Sequence, residues 1–149
     1  MSKVLLISRP INNNFDEGTK NLVSYIVKYS TNQNITFLSY KENKSKIENN
    51  NSLEIYSKKL PFFINRFLLV KIISKIKNFD VIHFFYTPSL INLIFIHVCR
   101  FFSDAKFIHS IPTANKKFLK IKLLGRLFIC DVYITQSDLS SQVLKNLNK

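Results

Sequence analysis

Only two glycines, Gly18 and Gly125, occur among the 149 residues, and that scarcity removes most phosphate-cradling loops at once. No G-x-G-x-x-G follows the first apolar run, so the dinucleotide fingerprint is absent. Neither a G-K-[ST] phosphate loop nor a G-x-S-x-G nucleophile elbow occurs. Cysteine is equally sparse. Cys99 and Cys130 lie in separate apolar stretches with no C-x-x-C pair, which reads as free buried thiols in a reducing compartment. The three histidines, His83, His97 and His109, lack the i,i+4 spacing of helical zinc ligands, and no metal is expected. Asp16 and Glu17 are neighbours on a loop, where adjacent side chains diverge, so they form no catalytic pair. Ser8 and Arg9 stand where a phospho-acceptor domain would carry acids.

Long apolar runs are also missing. Leu90 to Val98 is the longest, well short of the ~20 residues that span a bilayer, and His97 and Arg100 interrupt the segment. Near the N-terminus only Val4 to Ile7 is apolar before Arg9 and Pro10, too short for the ~7–15 residues of a secretory signal. The chain is therefore expected in the cytoplasm.

Positive charge is present in excess. Twenty-two basic residues stand against nine acidic ones, a net charge of +13, which favours anionic partners such as nucleic acid, lipid headgroups or phosphorylated substrates. An apolar content of 46% suits one folded domain with a real core.

Apolar runs without alternation predict strands buried on both faces of a parallel sheet. Such runs occur at Val4–Ile7, Ile35–Leu38, Leu53–Tyr56, Val81–Phe85, Lys106–Ser110 and Val132–Thr135. Helical patterns fall between them, over about Lys20–Tyr29, Ile64–Lys77, Pro88–Phe102, Lys116–Ile129 and from Ser137 or Asp138 to Leu147. Thr19 caps the first, and Pro88 opens the third. The polar stretch from Lys41 to Ser52 reads as a loop. Strands alternating with helices give an α/β fold, a mostly parallel sheet covered on both faces. Ligands of such folds bind beyond the carboxyl ends of the strands.

Four segments recur in a telling order: Lys3-Val4-Leu5-Leu6-Ile7-Ser8 before a loop ending in Gly18; Phe79-Asp80-Val81-Ile82-His83-Phe84; Ala105 to Pro112, reading A-K-F-I-H-S-I-P; and Cys130 to Asp138, reading C-D-V-Y-I-T-Q-S-D. Together they resemble the N-terminal, acceptor-side domain of the GT-B glycosyltransferases, in particular the retaining family 4. Its patterns read roughly D-V-I-H-x-H, V-H-T-I-H-D and A-D-x-V-I-x-x-S-E. The resemblance covers nearly the whole chain. It implies a single Rossmann-like three-layer domain over residues 1–149.

The resemblance also implies a set of site residues. Gly18 matches the glycine-bearing loop that faces the donor phosphates, although Glu17 replaces the second glycine. His83 matches a strand-end histidine, and Tyr86 and Pro88 follow it in a loop that lines the acceptor pocket. His109 matches the first histidine of V-H-T-I-H-D, while Pro112 and Thr113 replace the second histidine and the acid. Proline has no side-chain donor, so either Ser110 or Thr113 makes other contacts or catalysis is impaired. Ser137 matches the V-S-E serine, and it also suits a helix cap.

Basic helices add a second theme. Arg66, Lys71, Lys75 and Lys77 are interleaved with Phe67 to Ile76, and such a helix can lie on an anionic bilayer or simply cover the sheet with a solvated basic face.

The expectation is the acceptor-binding half of a nucleotide-sugar-dependent enzyme, acting on a lipid-linked or cell-envelope glycan and peripheral to the inner face of the membrane. The nucleotide sugar is the donor, and no other cofactor is expected. The family's donor half and its I-P-N-G-V-D linker do not occur in the sequence, so activity is expected to need a donor domain on another chain. The alternative is a non-catalytic, basic membrane-surface or scaffold module. Nucleic acid is a poor fit, because the aromatics fall mostly in the strand segments.

Overall fold

The computed structural model describes residues 2–8, 22–23, 25–26, 29, 34–41, 52–56, 73–112, 126–136, 138, 141 and 145. Six strands form one sheet: β1 (Val4–Ser8), β2 (Ile35–Lys41), β3 (Ser52–Tyr56), β4 (Val81–Phe85), β5 (Lys106–Ile111) and β6 (Val132–Thr135). Their order is β3-β2-β1-β4-β5-β6, and every pairing is parallel. The sequence runs outward from β1 to β3, then returns to the other side of β1 at β4. That reversal is the switch point of a Rossmann-like α/β domain.

Alternation along β1 divides the core in two. Leu5 and Ile7 point to one face, where Ile82, Phe84, Phe107 and helix α1 (Leu90–Phe102) fill the larger cluster. Leu6 points to the other face and packs with Val23, Phe37 and Phe85. Val23 lies among the helical residues Leu22, Val23, Tyr25, Ile26 and Tyr29, so helical structure covers both faces. This is the three-layer arrangement expected from apolar strands with no exposed side.

The larger core is built on aromatic rings. Phe84 meets Phe107 at 5.4 Å between centroids and Phe95 edge-on at 6.1 Å. Both separations lie in the range where ring quadrupoles attract. Helix α1 contributes Leu93, Phe95, Ile96 and Cys99 to this layer, the i, i+3 spacing of one helical face.

The helix begins where its chemistry allows. The helix opens at Leu90, not at Pro88: Ser89 is the N-cap, its Oγ accepting from the Asn92 amide at 3.2 Å, and Pro88 stands just before it, buried. Arg100 lies in the last turn, where a cation suits the helix dipole. It reaches Asp131 through two contacts, Nη1–Oδ2 at 3.1 Å and Nη2–Oδ1 at 3.2 Å. It also donates to the Ala105 carbonyl at 2.9 Å and lies 5.0 Å over the Phe107 ring. Asp131 in turn accepts from the Phe107 amide at 2.7 Å.

Main-chain bonds knit the same end of the sheet. Asp80 donates its amide to the Lys3 carbonyl at 2.9 Å, and its own carbonyl accepts from Lys106 at 2.8 Å. Its carboxylate takes the Lys3 amide at 2.7 Å. The amino ends of β1, β4 and β5 are thereby held in register.

Three expectations change. β2 runs on to Lys41 and β3 begins at Ser52, so both ends of the expected loop belong to strands. The basic helical pattern ends in a 3-10 helix, Ile73–Asn78, with 64–72 outside the described residues. The expected helix to Ile129 is not helical at its end, where Arg126 and Leu127 form a turn and Phe128–Cys130 are irregular. Among the described residues no helix is long and apolar enough to cross a membrane.

Candidate functional site

The switch point brings Ser8, last in β1, opposite Phe85, last in β4. Beside them run the Tyr86–Ser89 connection and the end of β5 at Ile111 and Pro112. In this fold class the crevice over these strand ends is where ligands lie. Ser8 is buried, and Thr87, Ser89 and Pro112 are half-buried.

His83 stands in the middle of β4, on the face opposite α1. Its Nε2 lies 2.8 Å from Ser110 Oγ on the neighbouring strand. Phe85, two residues further on the same face, stacks on the imidazole at 4.1 Å. Burial lowers the His83 pKa to about 4, with the nearby His109 a smaller cause. The ring is therefore neutral at pH 7, able to accept a hydrogen bond from a hydroxyl but too weak a base to take its proton.

His109 faces the other way. It is 0% exposed, and its Nε2 lies 2.9 Å from the Tyr86 carbonyl. A carbonyl only accepts, so Nε2 carries the proton and Nδ1 keeps a bare lone pair. Among the described residues that Nδ1 has no hydrogen-bond partner. Burial pulls this pKa to about 4 as well, against the opposing pull of the Tyr86 carbonyl. Register pairs Phe84 with His109 and His83 with Ile108. The two imidazoles thus stand on opposite faces of adjoining strands.

Tyr86 is buried in the larger core, edge-on to Phe95 at 6.5 Å. Its carbonyl, held by His109, and that of Thr87, which accepts from Asn92 Nδ2 at 2.5 Å, fix two successive positions of the connection. Asn92 is a component that sequence reasoning passed over. Its signal was a polar residue in the first turn of an otherwise apolar helix, three places after Ser89.

Of the other sequence-expected residues, Gly18, Thr113, Ser137, Arg66 and Lys71 lie outside the described residues. Lys75 belongs to the 3-10 helix. Lys77 is exposed and borders a cleft of about 720 Å³ with Phe79, Asp80, Phe101 and Phe102. Those residues precede β4 or end α1, so the cleft opens at the sheet's amino edge, away from the switch point. Phe101 is 84% exposed there. Among the described residues no cluster of three His, Cys, Asp or Glu side chains could hold a metal ion.

Fold and strand ends together define a Rossmann-like α/β domain with a neutral imidazole–hydroxyl pair near its switch point. No family, curated protein or solved structure matches this chain.

Proposed function

We propose that this domain is the acceptor-binding half of a nucleotide-sugar-dependent glycosyltransferase of the family 4 type, acting on a lipid-linked or cell-envelope glycan at the cytoplasmic face of a membrane. One observation carries the reading. His109 and Ser110 lie near the end of β5, and His83, midway along β4, reaches Ser110, in the segments whose sequence resembles that family. A sugar acceptor offers hydroxyl groups, and a neutral imidazole with a neighbouring serine suits hydroxyl recognition. In this reading the nucleotide of the donor is held by a second α/β domain. Calorimetry with the chain alone separates the outcomes. Glycan acceptors bind while nucleotide sugars bind weakly; tight nucleotide-sugar binding without glycan binding would overturn the reading.

A second reading, a basic membrane-surface module, draws support from Phe101, which stands 84% exposed beside Phe102 at the cleft that Lys77 borders. An exposed aromatic next to a cation suits an anionic interface. Salt-sensitive sedimentation with anionic vesicles, lost in Phe101→Asp and indifferent to glycan, selects this reading over the first.

A further inference from the structure

The cleft at the sheet's amino edge, about 720 Å³, falls within the range of roughly 300–1,000 Å³ that small-molecule sites occupy. Its walls come from two places in the chain. Phe79 and Asp80 lead into β4, while Phe101, Phe102 and Asp104 end α1 and pass toward β5. Phe101 and Phe102 stand edge to face, their rings at 86° with centroids 5.2 Å apart, so they form a corner of two aromatic surfaces. Both are open to solvent, Phe101 at 84% and Phe102 at 39%. Two adjoining phenylalanines left in water, with a third lining the same cleft, mark a surface that a ligand would cover.

Charge gives the sign of that ligand. Over the whole chain basic residues outnumber acidic ones by 22 to 9. In this cleft Asp80 and Asp104 stand against Lys77, so the local balance is the reverse of the global one. Both acids sit on fixed backbone. Asp80 is tied to Lys3 and Lys106 through its main chain, and its carboxylate's bond to the Lys3 amide uses one of about four lone-pair sites. The turn that carries Asp104 is closed by Ser103, whose Oγ accepts from the Ala105 amide at 3.3 Å. Arg100 holds the same turn by donating to the Ala105 carbonyl at 2.9 Å. Aromatic rings and carboxylates together attract an organic cation. Ring quadrupoles draw the positive charge, the carboxylates pair with it, and the rings shed water against its alkyl groups.

We infer that this cleft binds a small organic ammonium ion, its alkyl groups against Phe101 and Phe102 and its charge facing Asp80 and Asp104. The site lies at the opposite ends of the strands from the switch-point crevice, and it stands whether or not the domain binds a glycan. The two acids favour a small cation over a membrane here, because anionic headgroups would be repelled by both. Lys77 is then a competitor of the ligand, not a contact.

The test is an amide-resonance titration of the full-length chain with choline and with its uncharged carbon isostere, in which a tert-butyl group replaces the trimethylammonium. Choline should move the amides of residues 101–105 saturably, and the isostere should bind at least about tenfold more weakly. Phe101→Ala and Asp104→Asn should each weaken choline binding about fivefold. Lys77→Gln should tighten it about twofold by removing the competing cation. All three side chains are exposed, so the variants leave the core intact. Equal binding of choline and isostere overturns the inference, as does the lack of a saturable shift, and both are read on the unaltered chain. Weaker choline binding by Lys77→Gln overturns it as well. Capture by phosphatidylglycerol vesicles that Lys77→Gln abolishes, with residues 101–105 unmoved by choline, replaces it with the membrane-surface reading.

Discussion

His83 and Ser110 meet across adjoining parallel strands, Nε2 to Oγ at 2.8 Å, under the ring of Phe85. The contact joins β4 to β5 and is half-buried, where a hydrogen bond is worth more than on an open surface.

Removing the hydroxyl tests whether that contact serves ligand or fold. Ser110→Ala should cost about 1 kcal/mol of stability, the net worth of one hydrogen bond, and lower glycan affinity about tenfold. Denaturation curves and calorimetry on the same variant read the two effects separately. Unchanged affinity with the stability loss would reduce the pair to a structural one.

Acid should weaken the fold through both strand histidines. Each has a folded pKa of about 4 against an ordinary value of 6.5, so the unfolded chain binds more protons between those values. Stability is thus fully present above pH 6.5 and falls as pH drops toward 4. For the enclosed His109 the loss approaches about 3 kcal/mol, and it is smaller for the half-buried His83. Urea midpoints measured across this interval should decline steadily; a flat profile would contradict the neutral buried imidazoles.

The thiols should be inert. Burial raises the Cys99 pKa far above its ordinary value of 9.0 and pushes that of Cys130 up to about 12, with the Tyr133 hydroxyl opposing. Thiolate is the reactive form, so at pH 8 a disulfide reagent should label the native chain at least ~100-fold more slowly than the unfolded one. Fast native labelling of either residue would show that the apolar enclosure is open.

Asp131 should matter more through its backbone bond than through its charge. The ion pair with Arg100 is exposed, at 38% and 36% for the two side chains, and exposed pairs contribute about 0–1 kcal/mol. The bond from the Phe107 amide is also the first cause of its lowered pKa, ahead of Arg100. Asp131→Asn, which keeps an acceptor for that amide, should cost under ~1 kcal/mol, and Asp131→Ala about 1–2 kcal/mol more. Equal losses in thermal denaturation would refute the division.

Phe84 anchors the aromatic layer, touching both Phe95 and Phe107. Phe84→Ala should destabilise the chain by about 3–5 kcal/mol through lost burial and the cavity left behind. A loss below ~1 kcal/mol in urea titration would mean the core can collapse around the gap.

The strands were legible because central parallel strands must be apolar on both faces, and Val132–Thr135 matches residue for residue. The end of β2 was not. Ser39, Tyr40 and Lys41 pair with Glu54, Ile55 and Tyr56 through their backbones, and main-chain pairing leaves no apolar signal in the sequence. The helix start was misjudged by two residues because Pro88 is a strong punctuator, yet Ser89 has the oxygen that can cap. Within the site, residue types could be read but not directions. Only the strand register reveals that His83 and His109 address opposite faces. Asn92 escaped notice because its importance lies in the Thr87 carbonyl that it holds, a property of the folded chain.

The carboxylate of Asp131, the guanidinium above Phe107 and the Lys3–Asp80–Lys106 main-chain links lie at the far edge from the crevice. Alignment of the strands is therefore secured without help from the connections that would touch a ligand. Those connections can be rewritten, by natural drift or by an engineer grafting new recognition sequences, while the platform beneath them keeps its shape.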